Sequence, residues 1–175
     1  MIIEIATADL LRQLYPALSD LLVETVDLGA SVGFLSPLAD QEALEFWSKV
    51  RAGVTAGERV VFLAISAGQL VGTVQLIIDA PANGRHRCEI AKLMVKPAVR
   101  GQGIAVALMT RAEAEAKNLG KSLILLDTQT ASDAERLYIR LGYERAGVIP
   151  RYALSSGGDL EATSLFFKLL GTPGS

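Results

Sequence analysis

Apolar side chains recur along this chain in two rhythms, and the change from one to the other divides it into elements. Ile2 to Ala6 reads as a short strand. Over residues 8–26, Leu10, Leu14, Leu18, Leu21 and Leu22 fall at helical spacing, with Thr7 or Asp9 placed to cap the start. Pro16 should kink or split that helix, because an interior proline removes a hydrogen bond and clashes with the preceding turn. Gly29-Ala30-Ser31-Val32-Gly33 reads as a loop, and residues 40–56 as a second amphipathic helix carrying Trp47.

The rhythm then shortens. Arg59 to Ile65 and Leu70 to Asp79 are β-branched runs on either side of Ser66-Ala67-Gly68-Gln69, which predicts an antiparallel hairpin. Pro81 to Gly84 is a turn, and a third run, Glu89 to Lys96, stops at Pro97. Residues 102–119 are rich in Ala, Leu, Met and Glu, with Gly120 as a C-terminal stop. Ser122 to Asp127 is almost continuously apolar, the pattern of a central or parallel strand buried on both faces. Residues 132–141 form a further helix ended by Gly142, and Tyr143–Leu154 with Leu160–Leu169 read as a closing antiparallel pair. Strands cluster in the middle and helices are inserted around them, so the order predicts one mixed α/β (α+β-like) domain over 1–170 and a frayed tail at 171–175.

Composition removes several classes of function. Net charge is −2 with no basic block, which argues against nucleic acid as the main partner. Cys88 and His86 are the sole residues of their types. An internal disulfide is therefore impossible, a zinc site of the usual N and S ligands cannot be assembled, and a His-based catalytic pair could draw on His86 alone. His86 lies in a polar loop and reads as solvated, and Cys88 as a small buried hydrophobe. Met1 to Ile5 lacks a basic, apolar leader, and no run reaches the roughly 18–20 apolar residues of a bilayer span. The expectation is a cytoplasmic protein.

The stretch that carries chemistry runs from Lys92 to Ala105, where a strand ends, a Pro-bearing turn follows and two glycines open a long helix. Backbone N–H groups can approach a ligand there, and the helix N-terminus adds partial positive charge, so Arg100-Gly101-Gln102-Gly103-Ile104-Ala105 makes an anion cradle suited to a pyrophosphate. It is not a Walker loop, since the Gly-Lys-Ser/Thr ending is missing. It is not a dinucleotide fingerprint either, since Val106 occupies the third glycine position.

This hexapeptide resembles the Gln/Arg-x-x-Gly-x-Gly/Ala signature of the GNAT superfamily of N-acetyltransferases, and Leu137-Tyr138-Ile139-Arg140-Leu141-Gly142-Tyr143 resembles its Leu-Tyr-x-x-x-Gly-Phe/Tyr element. Glu24 to Val26, Gly29 to Phe34, Lys92 to Val95, Leu126 to Thr128 and Gly157 to Lys168 are similar to the tabtoxin resistance acetyltransferase group. The resemblance implies a mostly antiparallel sheet of about seven strands, a parallel pair at the cofactor cleft and about four flanking helices. It implies acetyl-CoA as acetyl donor, with the backbone of Leu93, Met94 and Val95 along the pantetheine arm and the N–H groups of Arg100 to Ala105 on the pyrophosphate. Tyr138 would protonate the leaving thiolate, Glu89 and Asp127 would act as base or amine-positioning carboxylates, and Ser31, Val32, Gly33 and Phe34 would line the acceptor pocket. Many members carry Asn seven residues before the tyrosine; here Ala131 stands there, with Ser132 beside it as a substitute. The acceptor implied is a primary amine on a small molecule, such as a toxin or antibiotic-like amino compound. A peptide acceptor, or a non-catalytic acyl-CoA-binding domain, is the competing reading. A homodimer packed through the C-terminal β pair is compatible with the resemblance. Read without it, Glu89 is a solvated strand residue, Asp127 a cap, and Tyr138 a core aromatic.

Overall fold

The computed structural model describes residues 1–171, and the tail expected at 171–175 falls outside them but for Gly171. The chain runs β1 (Ile2–Ile5), α1 (Ala8–Gln13), α2 (Tyr15–Asp27), α3 (Asp40–Thr55), β2 (Arg59–Ser66), β3 (Gln69–Ile77), β4 (Arg87–Val95), α4 (Ile104–Asn118), β5 (Leu123–Gln129), α5 (Asp133–Arg140), β6 (Glu144–Leu154) and β7 (Leu160–Leu169). Seven strands form one sheet in the order β1-β2-β3-β4-β5-β7-β6. Every neighbouring pair is antiparallel except β4 with β5.

Five helices flank it, one more than expected, because Pro16 does split the first helix. Thr7 caps α1 through a hydrogen bond from the Leu10 N–H, and α2 restarts with Pro16 in its first turn, where a missing N–H is harmless. The fourth helix begins at Ile104 rather than 102. Gly101 and Gly103 are the cause: both have left-handed backbones, at φ 77° and 79°, which a continuing helix excludes.

Strand alternation distributes the core. Phe62, Ala64, Val74, Leu76, Ile90, Ile124, Leu126 and Phe166 point to one face, under α4 and α5. Val61, Leu63, Leu70 and Met94 point to the other, where Leu18, Leu21, Leu22, Trp47 and Val50 of α2 and α3 cover them. β5 corrects one expectation. Ile124 and Leu126 are buried, but Leu123 and Leu125 are only half-buried, so the strand has one sealed face and one partly open face. The open face lies beyond the helices that cover β2 to β4.

β6 forms one sheet edge, and Val148, Ile149, Tyr152 and Leu154 along it are exposed. That is the surface on which the homodimer expectation rests. Among the described residues no helix is long and apolar enough to cross a membrane.

Candidate active site

β4 and β5 run together for three residue pairs, Arg87–Leu123, Cys88–Ile124 and Glu89–Leu125, and then part. β4 stays with β3 as far as Val95, while β5 follows β7 to Gln129. A bulge in β4 drives the separation. Between the Thr73–Met94 and Gln75–Ala91 pairs, Lys92 and Leu93 oppose Val74 alone, and Lys92 adopts φ 55°. The extra residue bends the strand and re-aims its side chains. Beneath the bulge Gly72 allows β3 to come close, since a Cβ there would sit 2.8 Å from the Met94 carbonyl oxygen. The β5-facing edge of β4 beyond Glu89 thus has no strand partner. Leu93, Met94 and Val95 lie along it, and an extended ligand with amide groups could add itself as a strand.

That edge leads into the glycine turn. Among the described residues, none of the N–H groups from Gly101 to Val106 donates to a backbone carbonyl. Four of them are orphaned by helix geometry and two by the turn. Gly101, Gln102 and Gly103 are exposed and Ala105 half-buried, whereas the Ile104 side chain is tucked into the core. Arg100 is exposed, and its Nε donates to the Val95 carbonyl at 3.2 Å, which holds the guanidinium beside the turn. The result is a row of outward N–H donors next to a cation.

α5 closes the second side. Ser132 accepts from the Glu135 N–H at 3.1 Å, and Glu135 reaches back to the N–H of Ala131, the residue before the cap, forming a variant of the capping box. Glu135 is buried and also accepts from the Ser164 hydroxyl at 2.8 Å and Arg145 Nη1 at 3.2 Å. Ser132 therefore has its hydroxyl engaged as the cap, with Thr128 Oγ1 3.3 Å away. Burial alone would raise the Glu135 pKa, but the bonds from Ser164, Ala131 and Arg145 outweigh it and hold the carboxylate below the ordinary range. A depressed folded-state pKa means that this group stabilises the fold above about pH 4.3, the unfolded glutamate value, and that the contribution is lost as pH falls through the folded value. Glu135→Leu should lower stability by about 3 kcal/mol at pH 7, the scale for breaking a buried charge network. Urea unfolding checks it, and the deficit should shrink in acid.

The box sets the angle at which α5 presents Tyr138. Its ring packs edge-on to Tyr143 (5.8 Å) and tilted against Phe166 (6.3 Å). Its hydroxyl has no partner among the described residues, yet it is not sealed from solvent as the Tyr143 hydroxyl is. Burial, and then the charge of Asp127, push its ionisation far above the usual tyrosine value, so the proton stays on at neutral pH.

On the opposite face of the sheet, Glu89 and Leu125 are paired, and Asp127 lies two residues further along β5, on the same side. Both carboxylates are exposed into the opening between the strands. Burial around Glu89, followed by the Asp127 charge, raises its pKa, with Lys92 pulling the other way. Asp127 is a strand residue here; Ser132 does the helix capping.

Lys92 is the residue that sequence reasoning passed over. Its Nζ donates to the Val32 carbonyl at 2.6 Å and lies over the rings of Phe34 (5.7 Å) and Phe46 (5.8 Å). Desolvation lowers its pKa, Asp127 and Glu89 raise it, and Arg59 lowers it again. The one signal available was a charge inside the otherwise apolar run Ile90–Val95. Lys92 thereby ties Val32, Gly33 and Phe34 to β4, while Ser31 is exposed. The same loop is tied to the β6–β7 turn by the Ser36 N–H, which donates to the Ser156 carbonyl at 2.9 Å. Phe46 is half-buried and faces this cluster.

Residues 25–143 match the model of the Acetyltransferase (GNAT) family. The chain is similar to aminoalkylphosphonate N-acetyltransferase of Salmonella typhimurium, at 36% identity over 86 residues, covering 48% of this chain and 56% of that protein. The chain spans 38–56% of the length of the curated relatives it matches. Among solved structures it resembles ribosomal-protein-alanine N-acetyltransferase from Brucella melitensis, with TM-score 0.82 and 22% identity over 97% of this chain and 100% of that one. It also resembles a GNAT superfamily phosphinothricin acetyltransferase from Sinorhizobium meliloti in complex with AcCoA, with TM-score 0.77 and 20% identity over 97% and 88%. At these identities the two structures share the fold.

Proposed function

Because the chain belongs to the Acetyltransferase (GNAT) family, we propose that it is an acetyl-CoA-dependent N-acetyltransferase acting on a primary amine of a small molecule. The observation that carries the reading is the open β4 edge running straight into a turn of unpaired N–H donors. An edge of that kind suits an amide-bearing arm, and such a turn suits a pyrophosphate, the two parts of coenzyme A that a protein backbone can recognise.

Acetyl-CoA would supply an activated acetyl thioester. The residues of the chain do the rest. N–H groups from Gly101 to Ala105 hold the pyrophosphate; the Arg100 N–H expected among them donates to the Pro97 carbonyl at 3.2 Å, so Arg100 contributes its charge. The Leu93–Val95 edge aligns the arm, and an N–H near Met94 donates to the thioester carbonyl oxygen, where negative charge develops. Glu89 and Asp127 receive the ammonium and take its proton, directly or through water, since a protonated amine is no nucleophile. The raised pKa of Glu89 makes it a stronger base than an ordinary carboxylate. Tyr138, kept neutral by burial, gives its proton to the departing thiolate. Ser31 to Phe34 wall the acceptor side. The tabtoxin resistance group, and an acceptor such as a toxin or antibiotic-like amino compound, are the finer form of this reading.

A second reading, transfer to a peptide amine, is favoured by one observation: Asp20, Glu24, Asp27 and Asp40 line a shallow groove at the end of α2. An acceptor panel that includes basic peptides separates the two.

The test is a thermal-shift titration with acetyl-CoA, with ATP and NAD as controls. At about 100 times its dissociation constant a ligand adds roughly 2.7 kcal/mol. That is a rise of about 5–11 °C at 2–4 °C per kcal/mol for a domain of this size. A rise confined to acetyl-CoA is expected. No rise, or one shared with ATP and NAD, overturns the proposal.

A further inference from the structure

Arg59 brings a charge to the floor of the acceptor side that the described residues leave without a counter-ion. It opens β2 and is half-buried, and no carboxylate lies within ion-pair distance of it. Its stem runs against Gly53 of α3, where a Cβ would come within 2.7 Å of Nε. Nη1 donates to Oε1 of Gln75 at 2.9 Å, and that single bond fixes the plane of the guanidinium. Nη2 is neither bonded nor sealed from solvent.

Gln75 is fully buried, and its Nε2 has no acceptor; Arg59 Nε and Trp47 Nε1 lack one too. Among the described residues the interface between α3 and the sheet is therefore rich in N–H donors and short of acceptors, so an oxygen that reaches the open Nη2 edge meets no competing protein acceptor. Strand register places this region beside the carboxylates. Arg59 pairs with Ile77, Ile77 with Glu89, and Glu89 with Leu125, so Arg59, Glu89 and Asp127 share one face, with Gln75 beside Ala91 between them. Lys92 stands close enough for Arg59 to depress its pKa.

We infer that Arg59, held by Gln75 and aided by Lys92, binds an acid group on the acceptor, whose class is then a primary amine that also bears a carboxylate or similar anion. This rests on the acceptor side assigned under Proposed function. The two ends of such a molecule meet opposite charges: Glu89 and Asp127 receive the ammonium, and the planar fork of Arg59 receives the acid in a paired hydrogen-bond geometry that an ammonium group cannot reproduce. A plain alkylamine would leave Arg59 uncompensated.

The experiment uses matched pairs: an amino acid or aminoalkylphosphonate against an amine of the same length without the acid. Thiol release from acetyl-CoA gives kcat/KM for each. The acid-bearing member should be favoured at least about tenfold, the scale of one good charged hydrogen bond. Arg59→Ala should collapse that ratio about tenfold or more, chiefly through KM, and Arg59→Lys should restore part of it. Gln75→Leu should lower the ratio as well, and serves if Arg59→Ala does not fold. Preference for the acid-free amine, or a ratio unmoved by Arg59→Ala in a folded protein, overturns the assignment. If no pair is turned over, the same compounds are added to the protein saturated with coenzyme A, and stabilisation by the acid-bearing members alone is the expected result; its absence overturns the assignment. Loss of acetyl-CoA stabilisation itself would instead count against the acetyltransferase reading.

Discussion

Tyr138→Phe should lower kcat by about 10²–10³-fold, within the range for losing a general acid, while acetyl-CoA affinity stays within about threefold. The ring is retained, so its contacts with Tyr143 and Phe166 survive and the fold should not notice. Among the described residues the hydroxyl has no partner to abandon, so no buried acceptor is left bare. The lost function is the proton that burial keeps on the oxygen at neutral pH. Acetyl-thiol turnover with any acceptor found for the protein, measured beside a thermal-shift titration, separates the two effects. Unchanged kcat would remove Tyr138 from the chemistry and return it to the core.

The second large effect belongs to Gly103→Val. Gly103 closes the turn at φ 79°, and a Cβ there would meet nothing within 4 Å. Crowding is therefore not the difficulty; the backbone is. A left-handed conformation disfavours an ordinary side chain by roughly 1–2 kcal/mol, and a β-branched one more. The turn would relax toward right-handed geometry and swing the N–H groups of Gly101 to Val106 off their common target. Losing two charge-assisted hydrogen bonds, at roughly 1.5–3 kcal/mol each, corresponds to about 10²–10⁴ in acetyl-CoA affinity. Melting temperature should fall by only about 2–8 °C. A variant that binds acetyl-CoA as tightly as the parent would show that the turn is not the cradle.

Much of this architecture could be read from the residues, for reasons that differ by element. Thr7 and Pro16 act locally, so the capped start and the broken helix were both visible. The hairpin at Ala67-Gly68 and the closing pair around residues 155–159 were visible too, because turn chemistry is written in a few adjacent residues. The start of α4 was displaced by two residues, since Ala- and Leu-rich composition says nothing of the two left-handed glycines that delay the helix. The apolar run in β5 suggested two sealed faces; which face a neighbouring helix covers is decided elsewhere in the chain. The same limit hid Lys92 and Arg59. A bulge in β4 turns one toward Phe46, and Gln75, sixteen residues away, orients the other. Neither effect has a local signature.

The brief partnership of β4 and β5 has a mechanical consequence. Only three rungs join a four-stranded block to a three-stranded one, so within the sheet the two blocks are connected as leaves on a short spine. Any extended molecule that lies in the gap and touches both leaves acts as a splint. Occupancy would then be felt as rigidity far from the contact, in strands that never meet the guest.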